Sequence, residues 1–419
     1  MTTNHGKIGR WHGAGLLATT LLGTSVFILP QMTVNIAGSM ALWAWALLTL
    51  TILPVALVFA KLSSQFPHAA GPAFFVEKAF GVTLGRTIGM IFLFVVPLGA
   101  PAALIMTYQF VDAIFHLPNE FALWVQLGFV VLLFALNVKG IQLSASLQLG
   151  LTLIISAIVA ILFTGLGSQS APAELINDLS SIQGSSLALT AAGLAFWSFL
   201  GIEAMSHLSG DFNEPKKDLV PAIMIGTILV GLIYLVCTYL VLTVPSDTKL
   251  HMVGAFDQLF GQGGQIIIGT LGIAGGLATV NVYTASLTRL IWSFANDGVL
   301  PQFLRYQNQH GVALKALILL LSAMSIVLAV SHYTGVDLEQ LLGWVNGVFA
   351  VIYFASMLAA FKLLNKKYKP VTALGCVFCG LMFWGLGLSM AYVLILMTLV
   401  MPCLYLQQKR KQQLSAQPS

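Results

Sequence analysis

An all-α integral membrane protein with twelve transmembrane helices is the fold class this sequence predicts, and three observations predict it. Only 8% of the 419 residues are charged while 58% are hydrophobic, and the mean hydropathy is +0.90; a soluble domain carries about 25% charged residues. Uncharged runs recur along the whole chain, each long enough to supply the roughly 20 residues that one crossing requires. Once those runs are counted as spans, the basic residues fall on one side.

The runs 13–60 and 370–408 hold two spans each. The runs 87–111, 121–138, 140–173, 179–202, 219–246, 258–288, 316–336 and 340–361 hold one each. Counted from an inside N-terminus, the inside segments carry Lys7, Arg10, Lys61, Lys78, Arg86, Lys139, Lys216, Lys217, Arg289, Arg305 and Lys315. They also carry Lys362, Lys366, Lys367, Lys369, Lys409, Arg410 and Lys411, which makes eighteen of the nineteen basic residues. Outside stands Lys249 alone, among Asp112, Glu120, Glu174, Asp178, Asp247, Asp257, Asp337 and Glu339. One miscounted span would invert every later loop and destroy this positive-inside pattern. Both termini are therefore expected in the cytoplasm. The apolar run after Lys7 and Arg10 outlasts a signal peptide's core, and no small-residue cleavage site precedes Ser39, so it reads as a retained first span.

The longest connectors, Gly165–Ser186 and Val244–Gln265, are about twenty residues and too short for a folded soluble domain. The expectation is one polytopic domain over 1–406 and a cytoplasmic tail over 407–419. No G-x-x-x-x-G-K-[ST] loop occurs, so no ATP-hydrolysing engine or ATPase subunit is implied. The net charge of +5 follows from the inside bias and gives no sign of a nucleic-acid partner. Cys237, Cys376, Cys379 and Cys403 all lie within spans, where Cys behaves as a small apolar residue. The eight His residues show no metal-ligand spacing, and no Ser-His-Asp set appears. The chain is therefore read as neither an enzyme nor a binder of metal or cofactor.

Glu203 is the one carboxylate inside an apolar span, in Phe196-Trp197-Ser198-Phe199-Leu200-Gly201-Ile202-Glu203. An ionised side chain at mid-membrane costs about 2.5–3.5 kcal/mol even on lenient scales, so it faces a partner, a cavity or a transported proton. A second interruption, Gly23-Thr24-Ser25, breaks the first span. A matched pair of interrupted helices points to a transporter built from inverted repeats, with its site between them. Spans 1–5 (about 11–165) and 6–10 (about 186–364) would form a five-plus-five inverted repeat with discontinuous helices 1 and 6, and spans 11 and 12 (about 371–406) two C-terminal additions. Each break also has a packing reading, because Gly is common where membrane helices approach closely.

A broken helix exposes backbone N–H groups at the positive end of its second half and carbonyls at the end of its first. The start of the second half of span 1, near Ser25-Val26, would hold a carboxylate. The end of the first half of span 6, near Trp197-Ser198, would hold an ammonium. A free α-amino acid presents both groups a short distance apart.

At these residues the chain resembles the amino acid–polyamine–organocation superfamily over roughly residues 10–365. Leu22-Gly23-Thr24-Ser25-Val26-Phe27-Ile28-Leu29-Pro30 looks like its first-helix motif, with Ser25 in place of the usual second Gly. Phe66-Pro67-His68-Ala69-Ala70-Gly71-Pro72 resembles its loop after span 2, and Phe196–Ala204 its sixth-helix signature. Asp211–Pro221 looks like its Asn-Pro-Lys/Arg loop, and Arg289 with Asn296–Pro301 the end of its eighth helix. The short chain looks most like the bacterial exporters of methionine and branched-chain amino acids. That resemblance implies a multi-pass protein of the bacterial inner membrane that moves amino acids outward, with protons as the coupling ion. It also implies that Gly23, Thr24 and Ser25 bind the substrate carboxylate. Trp197, Ser198, Phe199 and Gly201 would bind the ammonium, and Glu203 would respond to protons.

The other pocket candidates, Pro97–Pro101, Asn281, Tyr283 and Trp344-Val345-Asn346-Gly347, carry no charge. A neutral apolar substrate is therefore expected: methionine, leucine, isoleucine or valine. Span 5 lacks the Lys that some relatives use as a proton carrier, offering Ser144, Ser146 and Gln148 instead, and Ser286 and Thr288 are the candidate oxygens for a sodium site. Glu203 is read either as the proton acceptor or as a strut between helices. An importer, an exchanger or an amine transporter of the same fold is the alternative function, with a channel or a sensor as the more distant one.

Overall fold

The computed structural model describes residues 8–23, 25–68, 70–140, 145–167 and 182–415. Lys7, Thr24, Ala69, Ser144, Glu174 and Asp178, named above, lie outside the described residues. In chain order the α-helices are α1 (Arg10–Leu22), α2 (Leu29–Ala37), α3 (Met40–Gln65), α4 (Pro72–Phe80), α5 (Val82–Phe115) and α6 (Ala122–Val138). There follow α7 (Ala145–Gly165), α8 (Ile182–Ala195), α9 (Ala204–His207), α10 (Pro215–Thr243) and α11 (His251–Phe260). The chain closes with α12 (Gly264–Asn296), α13 (Leu314–Thr334), α14 (Leu338–Leu363), α15 (Lys369–Leu386) and α16 (Met390–Ser415). Among the described residues no strand forms. A single bridge ties Ile8 to Phe212, with the Ile8 N–H donating to the Asp211 carbonyl at 3.0 Å.

Ten helical stretches among the described residues are long and apolar enough to cross a membrane. The first expected span is not among them because it is split into α1 and α2, of 13 and 9 residues. The last stretch, Lys366–Lys409, is 44 residues long and contains α15 and most of α16. The chain turns between these two at Gly387, whose φ of +48° favours Gly. Beyond Leu406 the sequence is rich in Gln and Lys, good helix formers, and α16 continues to Ser415 into the segment expected as a tail.

Proline at the first or second position starts α2, α4, α10 and α15, where its missing N–H costs no intrahelical bond. Helix α1 is the centre of the bundle and packs against α7, α10 and α12, with every residue from Gly13 to Leu22 buried. Helices α6 and α7 turn Trp124, Val131, Leu153 and Ile154 outward, the apolar face that lipid requires. Trp45 of α3 lies flat on Tyr234 of α10, ring centroids 4.3 Å apart, and donates its indole N–H to Thr33 of α2 at 2.9 Å. The first break is thereby fixed to three helices.

Candidate functional site

The first break is short. Gly23 still donates to Thr19 in helical fashion, and α2 restarts at Leu29. The N–H groups of Ser25 and Val26 turn back onto the Leu22 carbonyl at 3.1 and 3.0 Å. The Tyr234 hydroxyl gives its hydrogen to the Leu21 carbonyl at 3.0 Å, so Ser25, 2.6 Å away, is the donor to Tyr234. Gly23 meets α12 backbone to backbone: a Cβ built on Gly275 would lie 2.7 Å from the Gly23 carbonyl oxygen. Small residues permit such close helix approach in a membrane.

The second break lies at Leu200 and Gly201, just past the Trp197-Ser198 end expected for its first half. Phe196–Phe199 continues α8 as a tighter 3₁₀ turn, Leu200 is extended, and Gly201 adopts φ +134°. A side chain is excluded at Gly201 by conformation and by space, since a Cβ would sit 2.9 Å from Leu21 and 3.0 Å from Thr20. The second break therefore meets the last turn of α1 at Gly201.

Glu203 is fully buried at the start of α9. One carboxyl oxygen accepts the Gly201 N–H at 2.9 Å and the Tyr353 hydroxyl at 2.5 Å; the other accepts the Tyr283 hydroxyl at 2.9 Å. Among the described residues no cation pairs with it. The three donors replace the water that an ionised carboxylate loses on burial. Tyr353 is also 3.0 Å from the Phe199 carbonyl. It has one hydrogen and two acceptors, so it can serve Phe199 fully only when Glu203 itself carries a proton and becomes the donor.

Beside this network lies a cavity of about 40 Å³. It is walled by Thr20 and Leu21 of α1, Val95, Val96, Gly99, Ala100 and Ala103 of α5, and Trp197 and Leu200 of the second break. Thr279, Val280 and Tyr283 of α12 and Val345 and Phe349 of α14 complete it. The wall is largely apolar and carries no charged side chain.

A family model described as "Amino acid permease" matches residues 8–415. The chain belongs to the amino acid permease family. It is 35% identical over 398 residues to the L-methionine/branched-chain amino acid exporter YjeH of Escherichia coli (strain K12), covering 93% of this chain and 94% of that one. It is 25% identical to the uncharacterized amino acid permease YecA of Bacillus subtilis (strain 168), covering 85% and 84% of the two chains. It is 23% identical to the cadaverine/lysine antiporter of E. coli (strain K12), covering 90% of each. The permease is thus a membrane transporter of the amino acid–polyamine–organocation superfamily and not an enzyme.

In the permease the predicted residues divide into two groups. Trp197 and Tyr283 stand in the cavity wall, Gly201 and Glu203 are joined to it through Tyr283, and Gly23 lies behind it against α12. Ser25 and Ser198 are buried and directed toward Tyr234. Phe199 is buried, presenting its carbonyl to Tyr353. Asn281 turns to α6, accepting from Asn137 at 2.6 Å, and Asn346 donates to the Gly193 carbonyl of α8 at 2.8 Å. Both asparagines hold scaffold helices together rather than line the cavity.

Sequence reasoning missed Thr20, Thr279 and Tyr353. Thr279, not Ser286 or Thr288, meets α1, its hydroxyl 3.4 and 3.3 Å from the Thr19 and Thr20 carbonyls. Thr288 instead bonds back to Thr284 within α12. The signal was present, since Gly272, Gly275, Gly276, Thr279 and Tyr283 share one helical face by their spacing. Tyr353 stands seven residues, two turns, beyond Asn346 on α14. The spacing Cys376-x-x-Cys379 holds two free thiols, and among the described residues no group of His, Cys, Asp and Glu could hold a metal.

Proposed function

We propose that the permease is a secondary transporter of neutral hydrophobic amino acids, chiefly methionine, leucine, isoleucine and valine, working outward by alternating access in exchange for protons. Its fold on this reading is the twelve-span five-plus-five arrangement: α1 with α2 as span 1, α8 through α9 as span 6, α15 and α16 as the added pair, and both termini in the cytoplasm. The observation that carries the reading is the uncharged, apolar cavity at the contact of two interrupted helices, with a buried carboxyl at its edge. The likeness to a protein named for exporting methionine and branched-chain amino acids supports the substrate class.

The substrate carboxylate binds at the N-terminal side of α2, at Gly23, Thr24 and Ser25, once the turn that closes Ser25 and Val26 onto Leu22 opens. Its ammonium binds the carbonyls of Trp197, Ser198 and Phe199. An ionised Glu203 holds the Tyr353 hydrogen and leaves the Phe199 carbonyl available to that ammonium. A protonated Glu203 donates to the Tyr353 oxygen, and Tyr353 then occupies Phe199. Proton and substrate exclude one another, which is what an antiporter requires.

Counterflow in proteoliposomes tests the reading. Vesicles loaded with unlabelled methionine should take up labelled methionine saturably, faster with an opposing pH gradient. Leucine should compete and cadaverine should not. Competition by the amine alone would overturn the substrate class, and exchange indifferent to the gradient would overturn proton coupling.

A further inference from the structure

At the basic end of the bundle, away from the transport cavity, lies a groove of about 620 Å³. Lys139 at the end of α6, Arg289 on α12 and His310 in the connection to α13 all line it, and no acidic residue does. Its far wall is a stitched turn. Asn308 donates from its backbone to the Val312 carbonyl at 2.8 Å, and its side-chain oxygen accepts from His310 and Val312 at 2.9 and 3.0 Å. The Asn308 amide then donates to the Val138 carbonyl at 2.8 Å, docking the turn on α6. Trp292 opens the groove toward the lipid-facing side of α12.

Positive charge at this end is expected of any membrane protein. What sets Lys139 and Arg289 apart is their convergence on one walled space, while many other cations are engaged locally. Lys61, Lys78, Arg305, Lys315, Lys362 and Lys367 lie over aromatic rings, and Lys217 pairs with Glu214. Arg10, Arg86, Lys216, Lys366, Lys369 and Lys409 show no ring or ion-pair contact among the described residues, and neither do Lys139 and Arg289. Lys139 and Arg289, however, converge with a third basic side chain on one walled space. The first turn of α13, with Ala313 in the wall, has neither a side-chain cap nor an acid to oppose an anion. Two converging cations, an imidazole and an indole suit a phosphate attached to an acyl chain better than a free one, because indoles settle at the headgroup level.

We propose that this groove binds the phosphate of an anionic lipid headgroup. The test uses the full-length purified permease in detergent. Thermal midpoint and lipid adducts in native mass spectrometry are followed with added phosphatidylglycerol, phosphatidylcholine or inorganic phosphate. Phosphatidylglycerol should raise the midpoint and survive as an adduct, and phosphatidylcholine should do neither. Lys139→Gln and Arg289→Gln should each weaken phosphatidylglycerol binding about fivefold, and together they should abolish the shift. Arg289→Lys should retain it, as should the double change Lys366→Gln, Lys367→Gln elsewhere on the same end. A shift given by inorganic phosphate and lost in the double variant would overturn the lipid as the source of the phosphate. An undiminished lipid shift in a folded double variant, or equal binding of phosphatidylcholine, would overturn the site itself.

Discussion

Glu203 is held by a backbone N–H and two phenols rather than by a cation. A cation at this distance would fix its charge permanently, whereas neutral donors allow it to gain and lose a proton. The same three bonds would also suit a strut, so the two roles must be separated by what they predict for Tyr353→Phe. As a strut, the variant loses a buried hydrogen bond, costing about 1–3 kcal/mol of stability, and keeps the parent's response to pH. As a relay, it loses the means by which Glu203 addresses the Phe199 carbonyl. Counterflow of methionine should then continue while acceleration by a pH gradient falls at least tenfold (a 1.4 kcal/mol change in coupling), and Glu203→Gln should behave alike. Normal gradient dependence in either variant returns Glu203 to the strut role.

At the level of elements, the breaks were legible because they carry residues that a continuous membrane helix has no reason to keep. Gly201 and Glu203 marked the second break, and the sequence ended its first half near Trp197-Ser198, whereas the chain keeps winding to Phe199 as a 3₁₀ turn. Propensity does not distinguish an α-turn from a 3₁₀ turn in an apolar run, since the same residues satisfy both. The packing reading of Gly23 has its counterpart in the contact with Gly275, which no single-sequence pattern identifies because its partner lies about 250 residues away. The contact makes a direct prediction. Gly275→Ala would place a methyl 2.7 Å from a main-chain oxygen and 2.9 Å from a main-chain carbon, and neither can rotate aside. A loss of about 1–3 kcal/mol is expected, read as a lower thermal midpoint and a smaller folded fraction. Gly150→Ala, at a position with open space around it, should leave both unchanged. Equal behaviour of the two variants would show that α1 and α12 do not depend on this approach.

For the whole molecule, the all-helical membrane class was legible because the membrane imposes an apolar length on every crossing element, and ten such stretches stand among the described residues. The cavity was less legible: its wall takes residues from α1, α5, the second break, α12 and α14, and apolar residues at those positions look like any packed core. Its size bears on the mechanism. About 40 Å³ admits roughly three water molecules and not a methionine side chain, so the proposed transport reading requires a state in which the surrounding helices have separated. A protein in that equilibrium samples open and closed forms, and a ligand shifts it only through different affinity for the two. The cavity wall is where this can be read. Val345→Cys, made in a chain whose exposed Cys403 and half-buried Cys376 are replaced by Ser, puts a thiol in the cavity, against native thiols at Cys237 and Cys379 that are buried outside it. A small water-soluble thiol reagent should modify Val345→Cys at a rate set by how often the cavity opens. Methionine and leucine should change that rate severalfold, by filling the opened site or by favouring the closed form, and arginine should not. A rate unaffected by all three amino acids, in a variant that still performs counterflow, would mean that the substrate passes elsewhere and that this cavity is only a packing void.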